Sequence, residues 1–322
     1  MSSSNSRIPV DNIPSTILPS LCLYQWRWST ATVAPGSTSL YAATHSPAQQ
    51  LAALYGIPKD RIHTFTSYKK FKEDLQQCED DFFSGAGKQY LAFGDVQQSS
   101  VRPIERGRSR SELPAFRLLY DTTEEVLIIK LMPGLHHNLA AEDFVEMFKD
   151  KVASLGINRN SLRNIGPTRC GAPGARSKEP DATLRPLTRV LATDWPSVVI
   201  EVGVSESLSQ LRTDARFWLT RSGGQTRIVI LLAVKKATRV MKIERWEDMS
   251  RTRLTRRSSP RYNPTKMQAL TLQASGQLSG GPLLIPASKV YDTLPPGLGQ
   301  DDFTFTGQDL AQYIQEYWGR LG

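Results

Sequence analysis

The sequence predicts an α/β protein with a two-layered core. Two observations carry that prediction. Short apolar runs of strand composition recur at residues 125–132 (EVLIIKLM), 198–202 (VVIEV) and 227–234 (RIVILLAV). Between them lie segments whose apolar residues return every three or four positions. The order helix, strand, strand, helix, strand is that of a sheet covered by helices.

The elements follow in order. Residues 1–20, rich in Ser and Pro, read as a flexible leader. Residues 21–28 (LCLYQWRW) have the aromatic, alternating character of a strand. Ser46-Pro47 opens a helix that runs to about Tyr55, with Gly56 as its stop. Tyr68, Phe71, Leu75, Cys78 and Phe82 give residues 66–83 an amphipathic helical stripe. Residues 97–114, with Arg102, Arg106, Arg108 and Arg110, read as a polar linker, so residues 21–111 form an N-terminal α+β region and a core begins near 112. EVLIIKLM is a strand stopped by Pro133-Gly134. Phe144, Met147, Phe148, Val152 and Leu155 share a face of a helix over 139–155. Residues 166–178 are Gly/Pro-rich loop, and 180–184 are briefly extended before the strand at 198–202. Ser207 and Gln210 form a capping box that opens a helix carrying Leu208, Leu211, Ala215, Trp218 and Leu219, ended by Gly223-Gly224. RIVILLAV is a buried strand, with 239–246 as its more exposed neighbour, and the core closes near 250. Residues 251–322 form a C-terminal extension: a basic loop, β-rich chain and a last helix from Thr306 to Trp318.

The 322 residues carry a net charge of +9, which favours polyanionic partners, nucleic acid first. The start shows no basic n-region followed by an apolar h-region, and no apolar run is long enough to span a bilayer. Three distant cysteines, Cys22, Cys78 and Cys170, match no zinc spacing and read as free thiols. The expectation is an intracellular protein of nucleus or cytoplasm, neither secreted nor membrane-bound.

Glu201 sits inside Val198-Val199-Ile200-Glu201-Val202. An ionised carboxylate in such a run needs a partner, because desolvating it costs several kcal/mol. Asp181 lies 20 positions earlier on the preceding extended segment. If the two strands are neighbours, both carboxylates reach one spot and form a site for a hard cation such as Mg²⁺ or Mn²⁺. Such an ion activates water and neutralises charge on a phosphate oxygen. Two plainer readings stand beside this one: Asp181 shapes a Pro-Asp turn, and Glu201 pairs with an arginine from a neighbouring element.

The order Glu on a helix, Pro-Asp, then Glu on the next strand resembles the PD-(D/E)xK nuclease superfamily. The words KEPDA, WPSVVIEVGVSES, LRTDARFWL and RIVILLAV are similar to those of a group of fungal proteins with that core. The resemblance spans about residues 115–250 and leaves 1–110 unexplained. It implies a restriction-endonuclease-like core, a mixed central sheet flanked by helices, with N-terminal and C-terminal extensions. It implies Mg²⁺- or Mn²⁺-dependent hydrolysis of nucleic acid, with Asp181 and Glu201 as metal-binding acids. Glu142, or else Glu146, matches an extra acid on the first helix. Gly203 departs from the pattern: it stands where the superfamily carries lysine. Lys178, ahead of Arg216 and Lys235, is the expected substitute and completes a catalytic set of Asp181, Glu201 and Lys178. The alternative is an inactive nuclease-fold module that binds nucleic acid or a protein.

Other residues carry weaker signals. His136-His137 follows a strand end, and reads as a site approach or as exposed polar surface. Glu206 and Asp214 flank the helix start and interior, where the helix dipole favours an acid near the N-terminus. Trp195 and Trp218 read as core or edge packing, or, if exposed, as a stacking surface for a base. Arg251, Arg253, Arg256, Arg257 and Arg261, followed by Lys266, form an acid-free run around Tyr262 that suits phosphate contact, a solvated loop or a nuclear localisation signal.

Overall fold

A computed structural model describes residues 45–85, 87–132, 134–171, 174–204, 208–250, 262–298 and 303–321. The expected leader, the strand at 21–28, Glu206, Ser207 and the five arginines Arg251, Arg253, Arg256, Arg257 and Arg261 lie outside the described residues.

The first half builds a five-stranded sheet. It contains α1 (Pro47–Leu54), β1 (Ile62–Thr64), α2 (Tyr68–Phe83), β2 (Tyr90–Gly94), α3 (Gln98–Ser109), β3 (Phe116–Asp121) and β4 (Val126–Leu131). Then come α4 (Leu135–Ser154), β5 (Leu162–Arg163) and β6 (Ser177–Lys178), and β6 returns to the first sheet, whose order is β1-β2-β4-β3-β6. The chain continues through β7 (Ala182–Pro186), β8 (Val198–Val204), α5 (Leu208–Arg221), β9 (Ile228–Lys235), β10 (Val240–Asp248), β11 (Pro264–Gln273) and β12 (Leu278–Ser279). These strands and β5 make a seven-stranded sheet of order β12-β11-β10-β9-β8-β7-β5. A small hairpin of β13 (Leu283–Ile285) and β14 (Phe303–Phe305), with α6 (Ala287–Val290) and α7 (Gly307–Gly319), completes the fold.

The predicted class holds: this is a mixed α/β architecture in which sheets are flanked by helices. In the larger sheet β7 pairs antiparallel with β8, while β8 and β9 run parallel. A parallel pair needs a crossover, and α5 supplies it.

Strand alternation sorts the core into three layers. Leu127, Ile129 and Leu131 point away from the larger sheet and pack with Phe71, Leu75 and Phe93. Val126 and Ile128 point the other way and share a middle layer with Val199, Leu231, Leu211 and Trp218. Ile200 and Val202 face the third layer, with Phe144 and Phe148 of α4 and Ile314 and Tyr317 of α7.

Three expectations change. The core is built on two sheets and falls into three apolar layers rather than the expected two. Residues 98–109 are the helix α3 rather than linker, because Val101, Ile104 and Gly107 recur every three positions and bury one stripe. The division near residue 112 falls between α3 and β3, yet β1 and β2 before it share a sheet with β3, β4 and β6 after it. Likewise, β11 and β12 of the C-terminal part extend the sheet that carries Glu201.

Candidate functional site

The site forms where the chain crosses between the sheets. Lys178 ends β6 in the smaller sheet, Glu179-Pro180 bridges the gap, and Asp181 precedes β7 in the larger one. The antiparallel register sets Ala182 opposite Ile200 and Thr183 opposite Val199. Continued by one residue, it puts Asp181 beside Glu201. The Val202 N–H donates to Asp181 Oδ2 at 2.8 Å, which holds the two strands in that register. The two carboxylates are thereby brought to one place.

Two lysines answer the charge. Lys130 lies on β4 opposite Arg117 of β3 and Tyr90 of β2. Its Nζ is 2.7 Å from Asp181 Oδ2 and 3.4 Å from Glu201 Oε2. Lys178 Nζ is 3.3 Å from Glu201 Oε1 and 3.2 Å from Asp214 Oδ1. The Trp218 indole N–H donates to Glu201 Oε1 at 2.6 Å, and the Tyr90 hydroxyl donates to Asp214 Oδ2 at 3.0 Å. Arg117 Nε donates to the Pro180 carbonyl and stands 3.7 Å from Asp181 Oδ1. Three carboxylates thus meet three permanent cations. The side chains of Asp181, Glu201 and Asp214 have no exposed surface, and Lys130 and Lys178 are only 2% and 3% exposed.

His137 enters the same cluster from the first turn of α4. Its Nε2 is 3.1 Å from Asp181 Oδ2, off the line of a hydrogen bond. Burial lowers its pKa, against the raising pull of Asp181. His136 points elsewhere: its Nδ1 is 3.1 Å from the Tyr317 hydroxyl.

The two strand acids titrate in opposite directions. Burial pushes the Glu201 carboxyl up to about 8 against the pull of Lys178, and Asp214 adds to the rise. Asp181 is held well below the usual carboxylate range: burial opposes this, but His137 and Lys130 outweigh it. Lys178 is raised because Asp214 and Glu201 outweigh its desolvation. Between the ordinary carboxyl value of 4.5 and about 8, the folded chain holds a proton on Glu201 that the unfolded chain has released. This contribution therefore falls as pH rises through that window. Below 6.5 the depressed His137 works in the opposite sense, so the clean window is pH 6.5 to 8. The expected result is stability that declines across that window by up to about 1.4 kcal/mol per pH unit. Urea unfolding at several pH values checks it. A decline of the same size in Glu201→Gln would assign it to another group.

The remaining expected site residues are placed as follows. Lys178 reaches Glu201 and Asp214; Gly203 shares the Glu201 face of β8 and pairs with Ala233. Glu142 does not join. It is five positions from His137, about 140° around the helix, and its exposed side chain lines a surface cleft with Arg320. Glu146 is exposed too, bound to Arg159 and Lys149. Arg216 lies over the Trp246 ring, and Lys235 ends β9 in solvent.

Lys130, Tyr90 and Asp214 had no site role in the sequence reading, although two of them carried a signal. Lys130 interrupts VLIIKL as Glu201 interrupts VVIEV. Asp214 stands on the apolar stripe of its helix between Leu211 and Trp218. An isolated charge on a buried face asks for an opposite charge on another.

A divalent cation would need oxygen donors from Asp181 and Glu201. The buried Oδ1 of Asp181 accepts no hydrogen bond, a point in favour, although Arg117 stands 3.7 Å from it. Against it, Lys130 Nζ lies between Asp181 and Glu201, where a bridging ion would sit. No group of three or more His, Cys, Asp or Glu among the described residues could hold a metal ion. In this arrangement the residues do not fit Mg²⁺ or Mn²⁺.

No family model matches the chain, and no curated protein matches it. Among solved structures, it is similar to a DUF820 protein from Anabaena variabilis described as a candidate nuclease, at 15% identity and a TM-score of 0.36. That match covers 62% of this chain and 92% of the other. A likeness at this level decides nothing about activity. No helix among the described residues is long and apolar enough to cross a membrane.

Proposed function

We propose that the chain is a PD-(D/E)xK-like module that binds nucleic acid, and whose motif acids serve as a sealed ionic joint between two sheets. One observation carries this reading: Lys130 Nζ takes the position between Asp181 and Glu201. The acids are compensated by lysines of the other sheet, so their burial has a structural account that needs no metal. The net charge of +9 supports a polyanionic partner. Metal-dependent phosphodiester hydrolysis is the second reading, and the buried Asp181 Oδ1 that accepts no hydrogen bond favours it.

Two measurements separate the readings. One is titration of the protein with Mn²⁺, followed by calorimetry. The other is incubation of circular single- and double-stranded DNA, and of RNA, with Mg²⁺ or Mn²⁺. The proposal expects no cleavage and no metal binding lost on Asp181→Asn, together with salt-sensitive binding of nucleic acid. Metal-dependent cleavage by the wild type that a folded Asp181→Asn lacks would sink the proposal and establish the enzyme.

A further inference from the structure

The sealed joint leaves open where a polyanion would dock. We propose that the face made by α5, β10 and β11 is a binding surface for the phosphate backbone of nucleic acid, centred on Lys242, Lys266 and Arg216. The inference rests on the nucleic-acid reading above and gives it a location.

Alternation on β10 puts Lys242, Glu244 and Trp246 in one row, while Met241 and Ile243 turn into the core. The register places Thr271 beside Lys242 and Lys266 beside Trp246. On the other flank, Arg212 and Arg216 are one turn apart on α5. Arg212 grips Glu244 with two hydrogen bonds of 3.0 and 2.6 Å, and Arg216 lies 5.8 Å above the Trp246 ring.

The row carries two acids. Asp248 at its end accepts from Ser250 and from the Asn263 N–H. Glu244 is used up as well. It is buried and accepts from Arg212 and the Trp246 indole, with Lys266 3.8 Å away. It works as an anchor that spreads cations to either side. Among the described residues, no carboxylate stands within ion-pair distance of Lys242 or Arg216. Four cations (Lys242, Lys266, Arg212 and Arg216) against two acids (Glu244 and Asp248) leave the face at +2. The row opens into a groove of about 290 Å³, which also presents Thr271 and Ser279. Ammonium, guanidinium and hydroxyl donors along an open trough suit phosphate oxygens. Trp246 is buried and offers no platform for a base, so the contact is to backbone and independent of sequence.

The test is fluorescence anisotropy with labelled single-stranded and duplex oligonucleotides over a salt series. It compares wild type with Lys242→Glu/Lys266→Glu, and with Lys72→Glu/Lys88→Glu as a control of equal charge change. Circular dichroism verifies the fold, and the milder Lys242→Ala/Lys266→Ala replaces the double reversal if that variant unfolds. The expected result is a salt slope lower by about two for the groove variant and an affinity loss of tenfold or more, with the control near wild type. A wild type that binds while both variants match each other would overturn the surface and leave the nucleic-acid reading standing. No binding by the wild type to any of the oligonucleotides would overturn both.

Discussion

Replacement of Lys130 by methionine is expected to destabilise the fold by about 3–5 kcal/mol, the range for removing one partner of a buried ion pair. Methionine fills similar volume, so the loss measures charge rather than cavity. Asp181 loses its 2.7 Å contact and Glu201 its 3.4 Å contact, and neither can reach water. Urea unfolding gives the value directly. The double variant Lys130→Met/Asp181→Asn is expected to recover part of the loss, since a neutral amide can still accept from the Val202 N–H. A single-variant loss below about 1 kcal/mol would place Lys130 in the range of an exposed pair and remove it from the joint.

Trp218→Ala is expected to cost about 3–5 kcal/mol, in the range for emptying a fully buried large side chain. Trp218 is wholly buried in the middle layer against Trp195 and Phe217. Its indole also donates to Glu201 Oε1. Trp218→Phe separates the two roles: it keeps most of the packing and removes the donor, and is expected to cost about 1–3 kcal/mol. Thermal and chemical unfolding of both variants check this. A Trp218→Phe variant as stable as the wild type would mean that Lys178 alone satisfies that oxygen.

The strands and helices with strong periodicity were legible in the sequence. EVLIIKLM, VVIEV and RIVILLAV are β4, β8 and β9, and the helices at 68–83, 135–154 and 307–319 were expected within a few residues. The helix α3 was missed because arginines surround a stripe only three residues long, so composition outweighed period. The site was half legible. Glu201 drew notice as an acid in an apolar run, and Pro-Asp gave it a neighbour. Lys130 posed the same oddity with opposite sign, but its partner lay on another sheet. Strand patterns within one sheet say nothing of which face meets a second sheet, so the pairing of Lys130 with Asp181 needed the tertiary fold. Glu142 failed for a simpler reason: sequence position put it on the right helix, and helical phase turned it to solvent.

The short crossing from Lys178 to Asp181 has a consequence for how the molecule comes apart. Within four residues the chain engages Glu201 and Asp214 through Lys178, Arg108 through Glu179, and Lys130 through Asp181. Separating the sheets would strip Lys178 from Glu201 and Asp214 and Lys130 from Asp181 and Glu201 at one stroke. The two sheets therefore form one cooperative unit. The seam that looks like a place of division is what couples the two sheets.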